Sequence, residues 1–302
     1  MSSLAKQIYV STGTFDNKTL LDILAFASQN DINAIELSSG VNYAEDMQPI
    51  LLKASHTDKF KFLIHNYFPP PQIPFVLNLA SDNNEIVDLS CKHCKKAIKM
   101  AAELGAPFYS VHSGFCFHAE PKHLGKDQTQ LKRISKKEAE NIFIENLQNL
   151  ADFAALKGVK LLVENNVVSP FNLINGKNEL LLGVTADEIK GIMDKTSRDN
   201  LGLLLDVGHL KVSANALGFC PEDFIRQVSD RIKAVHLSDN NGQNDSHNKI
   251  HTKSWFWKPL FEHISSDIIW ILETHSVPME SITEQVALIH TMISNKYNMR
   301  PS

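Results

Sequence analysis

Six residues in this chain close short apolar runs and can each donate to a divalent cation: His65, His112, Glu164, Asp206, His236 and Glu273. A lone imidazole or carboxylate at the end of an apolar run is most often a hydrogen-bonded rim residue. Six in succession, with no thiolate among them, make the mixed nitrogen and oxygen donor set that suits Zn2+ or Mn2+. Calcium fits less well, because imidazole suits it poorly. Further donors follow nearby: His209, three residues past Asp206, and then Asp245 and His247 in the stretch after His236. Brought together, these charges would repel one another unless a cation sat among them. The chemistry therefore depends on a fold that gathers the ends of the runs around one axis.

The apolar runs themselves supply that fold. Ile8–Ser11, Ala34–Leu37, Phe62–His65, Phe108–His112, Lys160–Glu164, Gly202–Asp206, Lys233–His236 and Ile268–Glu273 read as eight near-continuous strands, the pattern of a parallel sheet covered on both faces. Between them lie helical periodicities. Thr19–Ser28 places Leu20, Ile23, Leu24 and Ala27 on one face, Ser135–Lys157 opens with a capping-box pattern and ends at Gly158, and Ser281–Ile293 closes the series. Eight strand–helix units predict an α/β chain forming a single (β/α)8 TIM barrel over residues 1–302, with its site at the C-terminal ends of the strands. An open doubly wound sheet is the alternative, but Ser11-Thr12-Gly13-Thr14-Phe15 is not the glycine-rich phosphate turn that usually follows its first strand. Cys91 and Cys94 share a helical face with Val87, Ile98 and Ala101, so core packing is the better reading of that CxxC. His56, His93, His263 and His290 fall in helical stretches and read as solvated or packed imidazoles. Long connections at 113–134 and 165–184 are expected to shape the pocket or act as lids.

Composition narrows the function classes. A net charge of −4, with 43% hydrophobic and 21% charged residues, gives no general electrostatic grip on nucleic acid. The start lacks the apolar core of a signal peptide, and no run reaches the ~20 apolar residues of a membrane span. Four cysteines in 302 residues do not suggest a disulfide framework. The expectation is a cytoplasmic protein with no membrane partner, for which homo-oligomerisation stays open.

In this order, the strand-end residues resemble those of the xylose isomerase-like TIM-barrel superfamily, which holds sugar-phosphate isomerases and epimerases together with endonuclease IV, of the family-2 apurinic-site endonucleases. The resemblance spans nearly the whole chain. It implies one cation held by Glu164, Asp206, His236 and Glu273, as in the isomerases and epimerases. The nuclease likeness implies a trinuclear zinc site, with a second ion on Glu164, His65 and His112 and a third on His209, Asp245 and His247. His65-Asn66-Tyr67-Phe68 followed by Val76-Leu77-Asn78-Leu79-Ala80 also looks like the nuclease. The chain departs from its relatives in three places. Asn240-Asn241-Gly242 stands where ketose 3-epimerases carry an arginine, the lysine-pair motif of xylose isomerase is missing, and Asn248–Lys253 replaces the usual Gly-Glu-Gly.

Two enzyme readings follow. The first is a Zn2+- or Mn2+-dependent isomerase or epimerase of a small sugar or sugar phosphate, working by proton transfer through a metal-stabilised enediolate. Glu164 and Glu273 would act as base and acid while His209 orients a substrate oxygen. Lys122, Lys126, Lys132 and Arg133 could hold a phosphate or simply be solvated, and Trp255-Phe256-Trp257 could wall the pocket, form a subunit contact or pack as core. The second is an endonuclease IV-like phosphodiesterase acting on apurinic DNA, which needs wedge aromatics such as Tyr67 and Phe68. Tyr67, Trp257 and Lys126 are thus the candidate substrate-binding residues, with one to three ions as cofactors. A non-catalytic barrel is disfavoured, since a ring of unpaired charges costs stability unless function keeps it.

Overall fold

Side chains alternate across a β-strand, and in this chain the alternation separates grease from chemistry. The structure, a computed structural model, describes residues 7–15 and 18–298. Its strands are β1 (Ile8–Ser11), β2 (Ala34–Leu37), β3 (Lys61–His65), β4 (Phe108–His112), β5 (Lys160–Glu164), β6 (Leu201–Asp206), β7 (Ile232–Leu237) and β8 (Ile269–Leu272). They pair in parallel in chain order, and β8 closes on β1. The helices are α1 (Leu20–Gln29), α2 (Met47–His56), α3 (Asn84–Glu103), α4 (Lys136–Ala155), α5 (Ala186–Thr196), α6 (Val207–Leu217), α7 (Pro221–Val228), α8 (Trp257–His263) and α9 (Met279–Asn298). The expected (β/α)8 barrel is therefore the observed fold, with one departure: both α6 and α7 follow β6.

Every expected strand forms. The ends shift slightly; β8 stops at Leu272, so Glu273 lies just past the ladder. Thr19 caps α1 with a full capping box. At α4 the Ser135 hydroxyl accepts from the Glu138 N–H as anticipated. Gly158 follows that helix at φ +70°, where a residue without Cβ is favoured. Both CxxC thiols are free, Cys94 buried against Tyr109 and Cys91 half-buried against Asn146, in keeping with packing.

Outward-facing strand residues such as Val10, Ile35, Ile64, Val163 and Leu205 join the helix faces in the main core. Inside the barrel a second cluster takes one residue from each strand: Tyr9, Ala34, Leu63, Phe108, Leu162, Leu204, Ala234 and Ile271. A step of two residues along each strand keeps the inward direction and moves up one layer. That layer reads Ser11, Glu36, His65, Ser110, Glu164, Asp206, His236 and Glu273, and all of it is buried. The barrel is apolar below and polar above, and the polar ring is the floor of the site.

Candidate metal centre

His236 sits at the middle of this ring. Its Nδ1 lies 2.9 Å from Glu273 Oε2, 3.3 Å from Glu164 Oε1 and 3.7 Å from Asp206 Oδ2. Its other nitrogen, Nε2, is 2.9 Å from Glu36 Oε1. Beside this group, His65 Nε2 and His112 Nε2 approach the far oxygen of Glu164, Oε2, at 3.3 and 3.2 Å. A third group extends outward, where Asp245 Oδ2 lies 3.2 Å from His209 Nε2 and 3.1 Å from His247 Nε2.

Four of the five imidazoles are held from behind. His65 Nδ1 meets Ser110 Oγ at 3.0 Å, His209 Nδ1 meets the Asn165 carbonyl at 2.9 Å, and His247 Nδ1 meets the Glu273 carbonyl at 3.0 Å. His236 has Glu36. An imidazole that donates one N–H to such a partner turns the lone pair of its other nitrogen inward, which is how metal-binding histidines are usually oriented. Asp206 is fixed as well. Its backbone N–H donates to Asn165 Oδ1 (2.8 Å), and its Oδ1 accepts from the His209 N–H (2.7 Å), capping α6.

The donor set fits divalent cations. In each of the groups Glu164/Asp206/His236/Glu273, His65/His112/Glu164 and His209/Asp245/His247, one ligand atom per residue lies within 4.8 Å of the others. Asp206 Oδ2 and Asp245 Oδ1 are buried without a hydrogen-bond partner. Leaving such an oxygen unmatched costs ~1–3 kcal/mol, more for a charge, so the arrangement calls for a cation. Burial pushes the His65 imidazole down to about 3, against the pull of Glu164, and keeps it neutral. Burial also opposes charge on Glu164 and Glu273. The surrounding imidazoles outweigh it and hold both carboxyls below the usual carboxylate range. Burial opposes protonation of His236 and His209 too, but the carboxylates beside them raise both. Glu164 and Glu273 thus stay ionised and demand positive charge, from imidazole protons or from a metal that displaces those protons.

Each ligand named from the sequence lies in this cluster. The strand-end pattern does not reach Glu36, because Leu37 closes β2. The two-residue step from Ala34 would have found it. Tyr67 stands at the mouth, its hydroxyl accepting from the Phe75 N–H at 2.7 Å and its ring stacked on His93. Trp257 corrects the pocket-wall expectation: it is buried, packs against Phe261 and Trp270, and donates its indole N–H to the His251 carbonyl. Lys126 is exposed on its loop and is not among the residues lining the cavity.

That cavity, of about 650 Å³, opens above the cluster and shares Asn66, Tyr67, His112, His209 and Asp245 with it. Both long connections line it, through Phe115, Phe117 and Leu124 on one side and Val167, Phe171 and Leu181 on the other. They meet in an antiparallel bridge, Phe115 with Leu181. The expectation that these loops shape the pocket describes their placement.

Known proteins resemble the chain in two ways. A probable endonuclease 4 from Aquifex aeolicus is 28% identical over 190 residues, 59% of this chain and 58% of that protein. This chain spans 52% to 58% of the length of the curated relatives it matches. Among solved structures, a D-tagatose 3-epimerase-like protein aligns with a TM-score of 0.71 and 19% identity, covering 96% of this chain and 99% of that one. The IOLI protein, solved with a zinc atom bound, aligns with a TM-score of 0.70 and 16% identity, covering 97% of this chain and 100% of that one. The matching family model covers residues 24–289, and with them strands β2 to β8 and every candidate metal ligand: the chain belongs to the xylose isomerase-like TIM-barrel family.

Proposed function

We propose that the chain is a divalent-metal-dependent isomerase or epimerase of a small carbohydrate, which removes a proton from a carbon beside a carbonyl and returns it. The carrying observation is the position of Glu164 and Glu273. They are two ionised, buried carboxylates on either side of His236, and the described lining of the cavities that meet at His112, His209 and Asp245, which includes Glu273, contains no lysine or arginine. Glu164, Asp206, His236 and Glu273 would hold the cation. When bound, a divalent ion supplies Lewis-acid polarisation of substrate oxygens. Glu164 and Glu273 reach the centre from β5 and from the end of β8, so they can serve a substrate from two sides, one taking the proton and the other returning it. His209, braced by Asn165 and Asp245, orients a substrate oxygen.

The endonuclease IV-like reading is favoured by one observation: all three donor groups are assembled, as a trinuclear phosphodiesterase needs. The lack of lysine and arginine in the described cavity lining counts against it, since a nucleic-acid strand calls for cations along its path. Incubating the Zn2+- or Mn2+-loaded protein with ketoses and aldoses in D2O separates the two. Deuterium should enter carbon next to the carbonyl, and Glu164→Gln and Glu273→Gln should each abolish its uptake. No uptake from any sugar, together with cleavage of abasic DNA, would replace this reading with the phosphodiesterase.

A further inference from the structure

Resting on the carbohydrate reading, we propose that the substrate is an uncharged amphipathic keto-glycoside, a sugar bearing a ring ketone and an aromatic or alkyl group, rather than a phosphorylated monosaccharide. The distribution of polar atoms in the cavity carries this. Deep in the cavity, near the metal centre, Asn66 Oδ1 is buried without a hydrogen-bond partner, beside His112 and His209. Of the other amides in the lining, all but the exposed Asn244 are already spent on protein. Asn166 Nδ2 donates to the carbonyls of Ser113, Gly114 and Leu182. The Asn78 amide serves Phe115 and Ala80, while Asn172 is bound to Gln128. What the two long loops offer a ligand is therefore chiefly the hydrocarbon of Phe115, Phe117, Leu124 and Phe171. Phe171 and Leu124 are 46% and 53% exposed, an apolar surface that a ligand would cover.

Charge points the same way. Lys122 is paired with Glu120, Arg133 donates to the Thr129 carbonyl, and none of Lys122, Lys126, Lys132 and Arg133 is in the lining. A phosphate placed outward would meet no cationic side chain there. Size agrees, because about 650 Å³ lies in the range of drug-sized ligands and a lone monosaccharide would leave much of it unfilled.

Calorimetry on the metal-loaded protein tests this, with methyl β-D-glucoside, phenyl β-D-glucoside, glucose 6-phosphate and benzyl alcohol as probes. The phenyl glucoside should bind at least about ten-fold more tightly than the methyl glucoside and the phosphate, from the burial of its ring. Phe171→Ala should narrow that ratio, and Phe115→Ala repeats the test should the first variant fold poorly. Equal affinities for the two glucosides, or tighter binding of the phosphate, would overturn the proposal. Binding of benzyl alcohol with neither glucoside bound would instead remove the carbohydrate reading while keeping the apolar subsite, so the two failures are distinguishable.

A separate observation assigns a role to Glu36. It is fully buried, one oxygen lies 2.9 Å from His236 Nε2, and the other has no hydrogen-bond partner. We infer that Glu36 is a positioning residue: it accepts the Nε2–H of His236 and so directs Nδ1 at the metal. Chelator competition reads this without turnover. Glu36→Gln, which keeps an acceptor oxygen, should weaken Zn2+ about ten-fold, and Glu36→Leu about a hundred-fold. In a His236→Gln background both changes should have little further effect, because the ring they act through is gone. Undiminished affinity in Glu36→Leu, or equal losses in both backgrounds, would overturn the inference.

Discussion

At the scale of the residue, the decisive feature is that the imidazoles are neutral or protonated according to the carboxylates around them. Burial opposes charge on His247, yet Asp245 holds it up to about 9. A folded pKa above the unfolded value of ~6.5 stabilises the metal-free protein fully below pH ~6.5, and that contribution is lost as pH rises through about 9. A cation needs the neutral ring, so Zn2+ affinity should climb between about pH 6 and 8.5 as protons compete less well. Chelator competition across that range checks this, and a flat profile would count against His247 as a ligand. Glu273→Gln should lower turnover by ~10²-fold or more. A variant with full activity would remove Glu273 from the mechanism. Six of the candidate ligands were legible in sequence because each closes an apolar run, and His209, Asp245 and His247 because they follow soon after two of those ends. Glu36 was hidden by the leucine after it, and Asn165 and Ser110 by their ordinary polar character.

At the scale of the element, the turn Asp206-Val207-Gly208-His209 joins site to scaffold. Asp206 ends β6, caps α6 through Oδ1 and keeps Oδ2 for a cation. Gly208 is required there, because a Cβ would stand 2.5 Å from Ser238 Oγ on the neighbouring segment. Asp206→Asn keeps the cap and loses the charge, whereas Asp206→Ala loses both. Urea unfolding without metal should therefore find the alanine variant weaker than the asparagine variant by about 1 kcal/mol, with metal affinity lost in both. Equal stability of the two would show that the cap contributes nothing. Strands and long helices could be read from apolar periodicity. The extra helix after β6 could not, since α6 and α7 together fill one interval. Nor could the pairing of the two long loops, which rests on the isolated Phe115–Leu181 bridge rather than on any repeat. Without that wall in view, Lys126 and Trp257 were plausible pocket residues.

At the scale of the whole molecule, a closed ring of strands draws donors distant in sequence to one centre, as between Glu36 and His236, 200 residues apart. Barrel closure and the C-terminal face of the site followed from the strand count. The division into an apolar lower layer and a polar upper layer needed the register, which the sequence leaves open. A cation binding only the folded state should hold the ring together. At a hundred times its dissociation constant it adds ~2.7 kcal/mol. Chelation should accordingly lower the melting temperature by roughly 5 °C or more, with recovery on adding Zn2+. An unchanged melting temperature would mean that no ion bridges the strands. The central claim, that these strand ends share a cation, is tested most directly by metal content. Elemental analysis of the purified and Zn2+-reconstituted chain should find at least one tightly held ion, and replacing Asp206 and His236 together by Asn and Gln should remove it. No bound metal in the unaltered chain, or the same content in the double variant, would contradict the account.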